Sequence, residues 1–102
     1  MKAIIKGFRY DTDKADLVCE IQESYRGNFR HIDAGLFCTK RAKRFFLAGS
    51  GGPMTIFATQ VDQNTWSGGS KIIPLSKESA LEWAEQHATV EQIERFFEIE
   101  DA

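Results

Sequence analysis

The sequence predicts an α+β fold in which a mainly antiparallel sheet, a meander of four or five strands, packs against two C-terminal helices. Runs of alternating or β-branched residues come first in the chain, and two capped helical segments follow them. No helical pattern separates the strand-like runs, which argues against parallel βαβ units. A chain of 102 residues fits one domain, with the meander over about 3–75 and helices over about 77–88 and 90–98.

Short apolar runs predict the first two strands. The first covers 3–8, and the turn after it lies at 11–13, where Asp and Thr side chains can bond to nearby backbone amides. The second covers 17–22 and alternates between apolar and polar residues. Its predicted buried face consists of Leu17, Cys19 and Ile21. The polar stretch 24–33 is predicted as a loop.

A β-hairpin is the clearest strand signal in the chain. Apolar runs at 36–39 and 44–48 flank a basic tip at 40–43. We expect the three glycines and the proline of 49–53 to end this hairpin. Segment 54–61 contains β-branched residues that favour a strand, although Pro53 could also open a short helix.

The last strand and both helices have clear boundary signals. Gly68 and Gly69 mark a turn before a strand at 71–75, which Pro74 places at the sheet edge. Ser76 is the predicted N-cap of the first helix, and Thr89 with Gln92 forms a capping box for the second. Their predicted core residues are Ala80, Leu81, Ala84 and Ala88 in the first helix and Val90, Ile93, Phe96 and Phe97 in the second.

Composition excludes several classes of protein. Hydrophobic residues make up 42% of the chain and charged residues 27%, unlike the charge-rich composition of disordered chains. The net charge of −2 excludes the strongly basic balance of a protein that coats DNA. The charges are nevertheless segregated: residues 1–70 carry ten Lys or Arg against seven Asp or Glu, and the remainder carries three against eight.

The sequence also predicts a cytoplasmic protein that does not contact membranes. Its N-terminal apolar run is too short for a signal peptide, and no stretch approaches the roughly 18 apolar residues that cross a bilayer. In a reducing compartment, Cys19 and Cys38 are expected to be buried free thiols rather than a disulfide.

No group of residues predicts catalysis, a cofactor or a metal. Cys19, His31, Cys38 and His87 lack the Cys-x₂₋₄-Cys and His-x₃₋₅-His spacings of zinc sites. The glycines at 49–52 lack the Lys-Ser/Thr pair of a phosphate-binding loop, and a structural turn accounts for them. We therefore expect a protein that is not an enzyme and that needs no cofactor.

Two charged surfaces are candidates for binding a partner. The basic candidate consists of Lys40, Arg41, Lys43 and Arg44, with Phe46 as a ring on which a base could stack. The neighbouring loop adds basic and aromatic residues, namely Tyr25, Arg26, Phe29, Arg30 and His31. A solvated hairpin tip would explain the same charges.

The acidic candidate lies on the two helices. Glu82 and Glu85 share a face with Glu78, and helical spacing likewise places Glu91, Glu94 and Glu98 together. Such stripes could occupy the basic groove of a partner, although ordinary solvated helix faces have the same pattern. Trp66 and Trp83 are expected to be packing residues.

Several stretches resemble a widespread group of short uncharacterised bacterial proteins common in phages, plasmids and integrated elements. The resemblance lies in 45–54 (FFLAGSGGPM), in 66–76 (WSGGSKIIPLS) and in 78–85, and extends to 9–12 and 37–40. It departs at the tip 40–44, which is more basic in this chain. The group has no established activity, so the resemblance transfers no catalytic residues. It implies a gene context in which small proteins bind and disable host machinery, including CRISPR complexes.

The leading hypothesis is a non-catalytic binding protein of a mobile element that inhibits a host defence complex, such as a CRISPR complex, by occluding a protein surface. In this hypothesis the acidic helices make the contact, and the partner is a protein. The alternative is a nucleic-acid-binding accessory protein that uses the basic hairpin around 40–44. The sequence leaves the oligomeric state open.

Overall fold

The computed structural model of the chain describes residues 1–23 and 30–102. The described residues form strands, two α-helices and one turn of 3₁₀ helix. The strands are β1 (Lys2–Ile5), β2 (Phe8–Asp11), β3 (Ala15–Glu23), β4 (Ile32–Thr39), β5 (Phe45–Gly51), β6 (Thr59–Asp62), β7 (Thr65–Ser67) and β8 (Gly69–Leu75). The α-helices are α1 (Lys77–His87) and α2 (Val90–Phe96). Among the described residues, neither helix has the length and apolar character needed to cross a membrane.

The architecture is α+β, as the sequence predicts. A four-stranded sheet has the order β3-β4-β5-β8, every neighbouring pair in it is antiparallel, and both helices follow the last strand. β6 and β7 form a separate hairpin inserted between β5 and β8. β8 lies at the edge of the sheet, where Pro74 is tolerated because one side of the strand has no ladder to complete.

One face of the sheet carries the main hydrophobic core and is covered by both helices. Leu36 and Leu47 lie opposite each other in the β4–β5 register, and both are fully buried. Phe97, just after α2, stacks on Phe45 with ring centroids 4.7 Å apart. The buried residues of α1 are Ala80 and Ala84. These small side chains allow the helix backbone to approach the sheet closely.

Both helices begin at the predicted caps. The Ser76 hydroxyl accepts a hydrogen bond from the Ser79 amide at 3.1 Å. The Thr89 hydroxyl accepts from the Gln92 amide at 3.2 Å, and the Gln92 side chain accepts from the Thr89 amide at 2.9 Å. This reciprocal pair is the predicted capping box. Caps of this kind stabilise a helix by about 1 kcal/mol.

The hairpin of β1 and β2 covers the opposite face of the sheet. Tyr10 is buried there, and its ring meets Phe46 edge to face with centroids 5.3 Å apart. Phe37 stacks on the other side of Phe46, also at 5.3 Å. This second aromatic core fixes the N-terminal hairpin to the strands that carry the basic tip.

The N-terminal hairpin corrects the prediction of one strand over 3–8. β1 ends at Ile5, and β2 begins at Phe8. Lys6 and Gly7 between them have φ angles of 52° and 83°, which is the left-handed conformation of a two-residue hairpin turn. The turn predicted at 11–13 overlaps the 3₁₀ turn Thr12–Lys14, for which Asp11 is the N-cap. The missed signal is Gly7, which adopts a positive φ without a Cβ clash.

β3 departs from the predicted alternation. Its register with β4 shifts between Leu17 and Cys19, so Val18 and Cys19 are both buried. Leu17 is 46% exposed, and the prediction that it shares the buried face of Cys19 and Ile21 is therefore wrong. The reason is a β-bulge, which places two residues opposite one and breaks the period of two.

The glycine-rich segment does not end the strand predicted at 44–48. β5 continues to Gly51, which pairs with Ile32 on one side and Gly69 on the other. Gly49 has a φ of 152°, and a Cβ at this position would lie 2.4 Å from the backbone oxygen of Asp33. Position 49 therefore requires glycine because the neighbouring strand approaches closely, and not because a turn begins there.

The strand predicted over 54–61 is confined to β6. The segment before it forms turns, in which the Thr55 amide donates to Gly52 at 3.2 Å and the Ala58 amide donates to Thr55 at 3.0 Å. Phe57 within this segment is fully buried and ties it to the core. The hairpin of β6 and β7 was not predicted. It leaves Trp66 55% exposed, so the expectation that Trp66 is a packing residue is wrong.

Two boundaries and the exposure of one helix residue also differ from the predictions. Ile32 and Asp33 belong to β4 rather than to the predicted loop 24–33, and positions 24–29 of that loop lie outside the described residues. α2 ends at Phe96 because Phe97 leaves the helical conformation. Val90 is 70% exposed, so the prediction that it is a core residue of the second helix is wrong.

Candidate functional site

The predicted basic tip joins β4 to β5. Lys40, Arg41, Lys43 and Arg44 are all exposed. The Thr39 amide donates to the Arg44 carbonyl at 2.9 Å, and the Arg44 amide donates to the Thr39 hydroxyl at 2.9 Å. Lys43 has a φ of 54°, an uncommon conformation for a residue with a Cβ. These constraints hold the start of β5, and with it Arg44, in a defined position.

Tertiary structure adds residues from the N-terminal segment to this tip. An open cleft of about 380 Å³ is lined by Phe8, Arg9, Asp11 and Lys14 on one side and by residues of the tip on the other. We call it the basic cleft. Its cations are Arg9, Lys14, Lys40, Arg41 and Arg44. They come together because the N-terminal hairpin packs on the face of the sheet opposite the helices.

The carboxylates near the basic cleft offset only part of its charge. Lys40 Nζ lies 3.3 Å from Asp16 Oδ1, and their side chains are 64% and 43% exposed. An exposed pair of this kind contributes about 0 to 1 kcal/mol and can exchange for a stronger anion. Asp11 is buried, and its carboxylate accepts a hydrogen bond from the Asp13 amide at 2.9 Å. Within the described residues, the other cations of the cleft form no ion pair.

An aromatic and a guanidinium form a stacked pair at one side of the basic cleft. The Arg44 Cζ lies 3.7 Å from the centroid of the Phe8 ring, a cation–π contact. Phe8 is 42% exposed, whereas its strand neighbour Tyr10 is 5% exposed. Phe8 and Arg44 also line a second depression of about 320 Å³ on their other side. The pair is therefore a ridge between two concave surfaces.

Two residues of the sequence-predicted basic site lie elsewhere. Phe46 is fully buried between Tyr10 and Phe37, so it cannot stack on a ligand, and that part of the hypothesis is wrong. Lys43 does not line the basic cleft; it lies in a depression near α2 together with Lys77. The pleat of β5 directs Phe46 to the face that the N-terminal hairpin covers, whereas Lys43 lies in the turn before β5, which begins at Phe45.

The predicted loop 24–33 is described only in part. Tyr25, Arg26 and Phe29 lie outside the described residues. Arg30 is exposed and His31 is partly buried at the start of β4. The prediction that this loop extends the basic surface stays a prediction.

The acidic candidate surface is exposed but divided. Glu82, Glu85, Glu91 and Glu94 all face solvent. Glu82 lines a shallow depression with Glu23, Trp83 and Gln86. Glu94 instead shares a depression with cations from three elements, namely Lys43, Lys77 and Arg95. Cations therefore lie close to Glu94, whereas no described cation lines the depression beside Glu82.

The cysteines and His87, the remaining candidate residues, are buried or packed against other side chains. Cys19 and Cys38 are buried free thiols, as predicted, and burial raises the pKa of each. His87 stacks on Trp83, and its Nε2 lies 3.2 Å from Glu23 Oε1 without hydrogen-bond geometry. In the described part of the chain, no three His, Cys, Asp or Glu side chains are grouped so that they could hold a metal ion.

Sequence reasoning missed Phe8, Arg9 and Lys14. The signal that could have found them is the two-residue turn at Lys6 and Gly7, because it reveals a hairpin whose second strand begins at Phe8. The position of that hairpin on the sheet is set by contacts between distant residues, and no local pattern encodes it.

Comparison with known proteins adds no relative from which a residue role could be transferred: no family model, no curated protein and no solved structure matches this chain.

Proposed function

We propose that this protein is a non-catalytic nucleic-acid-binding protein that contacts phosphates through its basic cleft. One observation carries the proposal: Arg9 and Lys14 meet Lys40, Arg41 and Arg44 around one concave surface although the two segments are distant in sequence. Cations that outnumber the carboxylates around them create a positive potential that attracts a polyanion. The net charge of −2 is compatible with this, because eight of the fifteen acidic residues lie at positions 71–102, C-terminal to the residues of the cleft.

The first prediction concerns the salt dependence of binding. Each phosphate contact releases counterions, so log affinity should fall with log salt by about 0.7 to 0.9 per contact. The double variant Arg9→Glu/Arg41→Glu should lower this slope by roughly two contacts and weaken binding to all sequences alike. Fluorescence anisotropy of a labelled oligonucleotide, measured over a range of salt concentrations, provides both quantities.

Lys77→Glu is the matched control. Lys77 is exposed and lies outside the basic cleft, and an acidic residue in the first turn of α1 suits the helix dipole. It changes the net charge in the same direction as each reversal but should leave the slope unaltered. The proposal fails if the intact protein does not bind nucleic acid near physiological salt, or if the control and a cleft reversal have equal effects.

A second candidate function is occlusion of a protein by the acidic helices. The observation in its favour is the depression beside α1, where Trp83 is flanked by the carboxylates of Glu23 and Glu82. An aromatic ring surrounded by charge is a common centre of protein interfaces. The resemblance to mobile-element proteins supplies the partner for this candidate, a host defence complex such as a CRISPR complex.

The second candidate predicts a phenotype in infected cells. Expression of the protein should restore plaque formation by a phage that the host's CRISPR system otherwise excludes. Reversal of Glu82 and Glu85 to Lys should abolish this protection. Reversal of Glu91 and Glu94 should reduce it less, because cations near α2 already offset that part of the surface. All four side chains are exposed, so these changes should alter stability by only about 0.5 kcal/mol. Protection that survives the α1 reversals would exclude this candidate.

A further inference from the structure

The Phe8 side chain is exposed and does not belong to the aromatic core. Its strand partner Ile5 and its neighbour Tyr10 face the aromatic core, and Tyr10 is 5% exposed where Phe8 is 42% exposed. A large ring left in water forgoes part of the hydrophobic stabilisation that burial would provide. The ring is nevertheless held, because the Arg44 guanidinium lies 3.7 Å from its centroid.

The fold also constrains the other member of the pair. Arg44 follows Lys43, whose φ of 54° is strained for a residue with a Cβ. Its amide and carbonyl groups both bond to Thr39 across the turn. A strained turn that fixes the start of a strand sets the direction in which the guanidinium leaves the backbone. The Arg44 guanidinium therefore lies over the Phe8 ring and lines the basic cleft.

The ligand that fits this geometry needs phosphates and an accessible aromatic face together. Arg9, Lys14 and Arg41 supply sites for phosphates in the basic cleft, and the Phe8–Arg44 pair supplies a flat surface at its side. In a duplex the faces of the bases are hidden in the stack, whereas in a single strand they are free to stack on aromatic or guanidinium planes.

We propose that the Phe8–Arg44 pair stacks on an unpaired base, so that the basic cleft binds single-stranded rather than double-stranded nucleic acid. This inference rests on the proposed function of the cleft and specifies its ligand. DNA and RNA share the chemistry involved, and the two are compared directly in the test.

The test separates phosphate contacts from base contacts. Binding is measured by anisotropy for oligonucleotides of about 12 nucleotides, within the site sizes of single-strand binding proteins. The probes are single-stranded DNA, single-stranded RNA, an abasic strand with the same number of phosphates, and the DNA duplex. The intact protein should bind at least one of the two base-containing single strands about 5-fold to 100-fold more tightly than the abasic strand, which is the range for one stacked base.

Variants of the pair should remove this preference and leave the phosphate contacts. Phe8→Leu keeps an apolar side chain at this position but loses the ring, and Phe8→Trp should restore the preference. Arg44→Lys keeps the charge and the salt slope, yet loses the planar group and part of the preference. Ile4→Ala is the matched control, because Ile4 is 68% exposed on the same hairpin and lies outside the cleft.

The outcomes distinguish the two proposals. Equal affinity for the base-containing and abasic strands would overturn base stacking while leaving phosphate binding by the cleft in place. Tighter binding of the duplex than of the single strands would overturn base stacking as well. So would an unchanged preference for base-containing strands in Phe8→Leu, provided that the thermal unfolding of this variant is unchanged. Absence of binding to every probe would overturn the proposed function itself.

Discussion

Phe46→Ala should lower the free energy of unfolding by about 3 to 5 kcal/mol, the usual cost of removing a fully buried phenylalanine. Phe46 is 0% exposed and is the central ring of the aromatic core, with Tyr10 edge-on at 5.3 Å and Phe37 stacked at 5.3 Å. The variant leaves a cavity between the sheet and the N-terminal hairpin. Equilibrium unfolding in urea measures the loss.

The same variant should detach the N-terminal hairpin before the rest of the domain unfolds. Trypsin under native conditions should then cleave after Lys6 or Arg9 much faster than in the intact protein. Phe37→Ala is the control, because Phe37 packs on the same ring but is only partly buried, and its loss should cost less. A larger loss in Phe37→Ala than in Phe46→Ala would show that the hairpin does not depend on Phe46.

Gly49→Ala should destabilise the protein by roughly 3 kcal/mol or more, because two independent penalties act at this position. Its φ of 152° is a conformation that residues with a Cβ rarely adopt. The new Cβ would also lie 2.4 Å from the Asp33 oxygen and 2.5 Å from the Ala34 Cα, both backbone atoms of β4. The strands would have to separate, and thermal unfolding should begin well below that of the parent protein.

Gly7→Ala separates the two penalties. Gly7 has a φ of 83°, but a Cβ at this position would have no heavy atom within 4 Å. Only the conformational cost remains, about 1 to 2 kcal/mol. Similar losses in the two variants would contradict the view that the close approach of β4 determines the glycine at position 49.

The parts of the fold that could be predicted are those encoded by residues close together in the chain. Ser76 and the Thr89–Gln92 capping box satisfy amides three residues away, so the starts of both helices follow from the sequence. The hairpin of β4 and β5 is likewise local, since two apolar strands flank a short charged tip. For the same reason the four basic residues of the tip could be singled out before the structure was known.

The β-bulge in β3 and the close approach of β4 to Gly49 could not be predicted, because each depends on how the neighbouring strand pairs. The shift at Val18 reverses the exposure of Leu17, and no composition signal marks it. Gly49 belongs to a glycine-rich run typical of a turn, yet it lies in a strand because its neighbour β4 leaves no room for a Cβ.

Local patterns along the chain are sufficient to predict the α+β class, the capped helices and the presence of one basic and one acidic end. Tertiary structure alone decided which charges meet. Packing of the N-terminal hairpin on Phe46 brings Arg9 and Lys14 to the basic tip and buries the Phe46 ring, while Lys43 lies in the turn and outside the cleft. The physical reason is that the charges of such a site come from segments distant in sequence. These segments become neighbours only when their apolar residues are buried against each other.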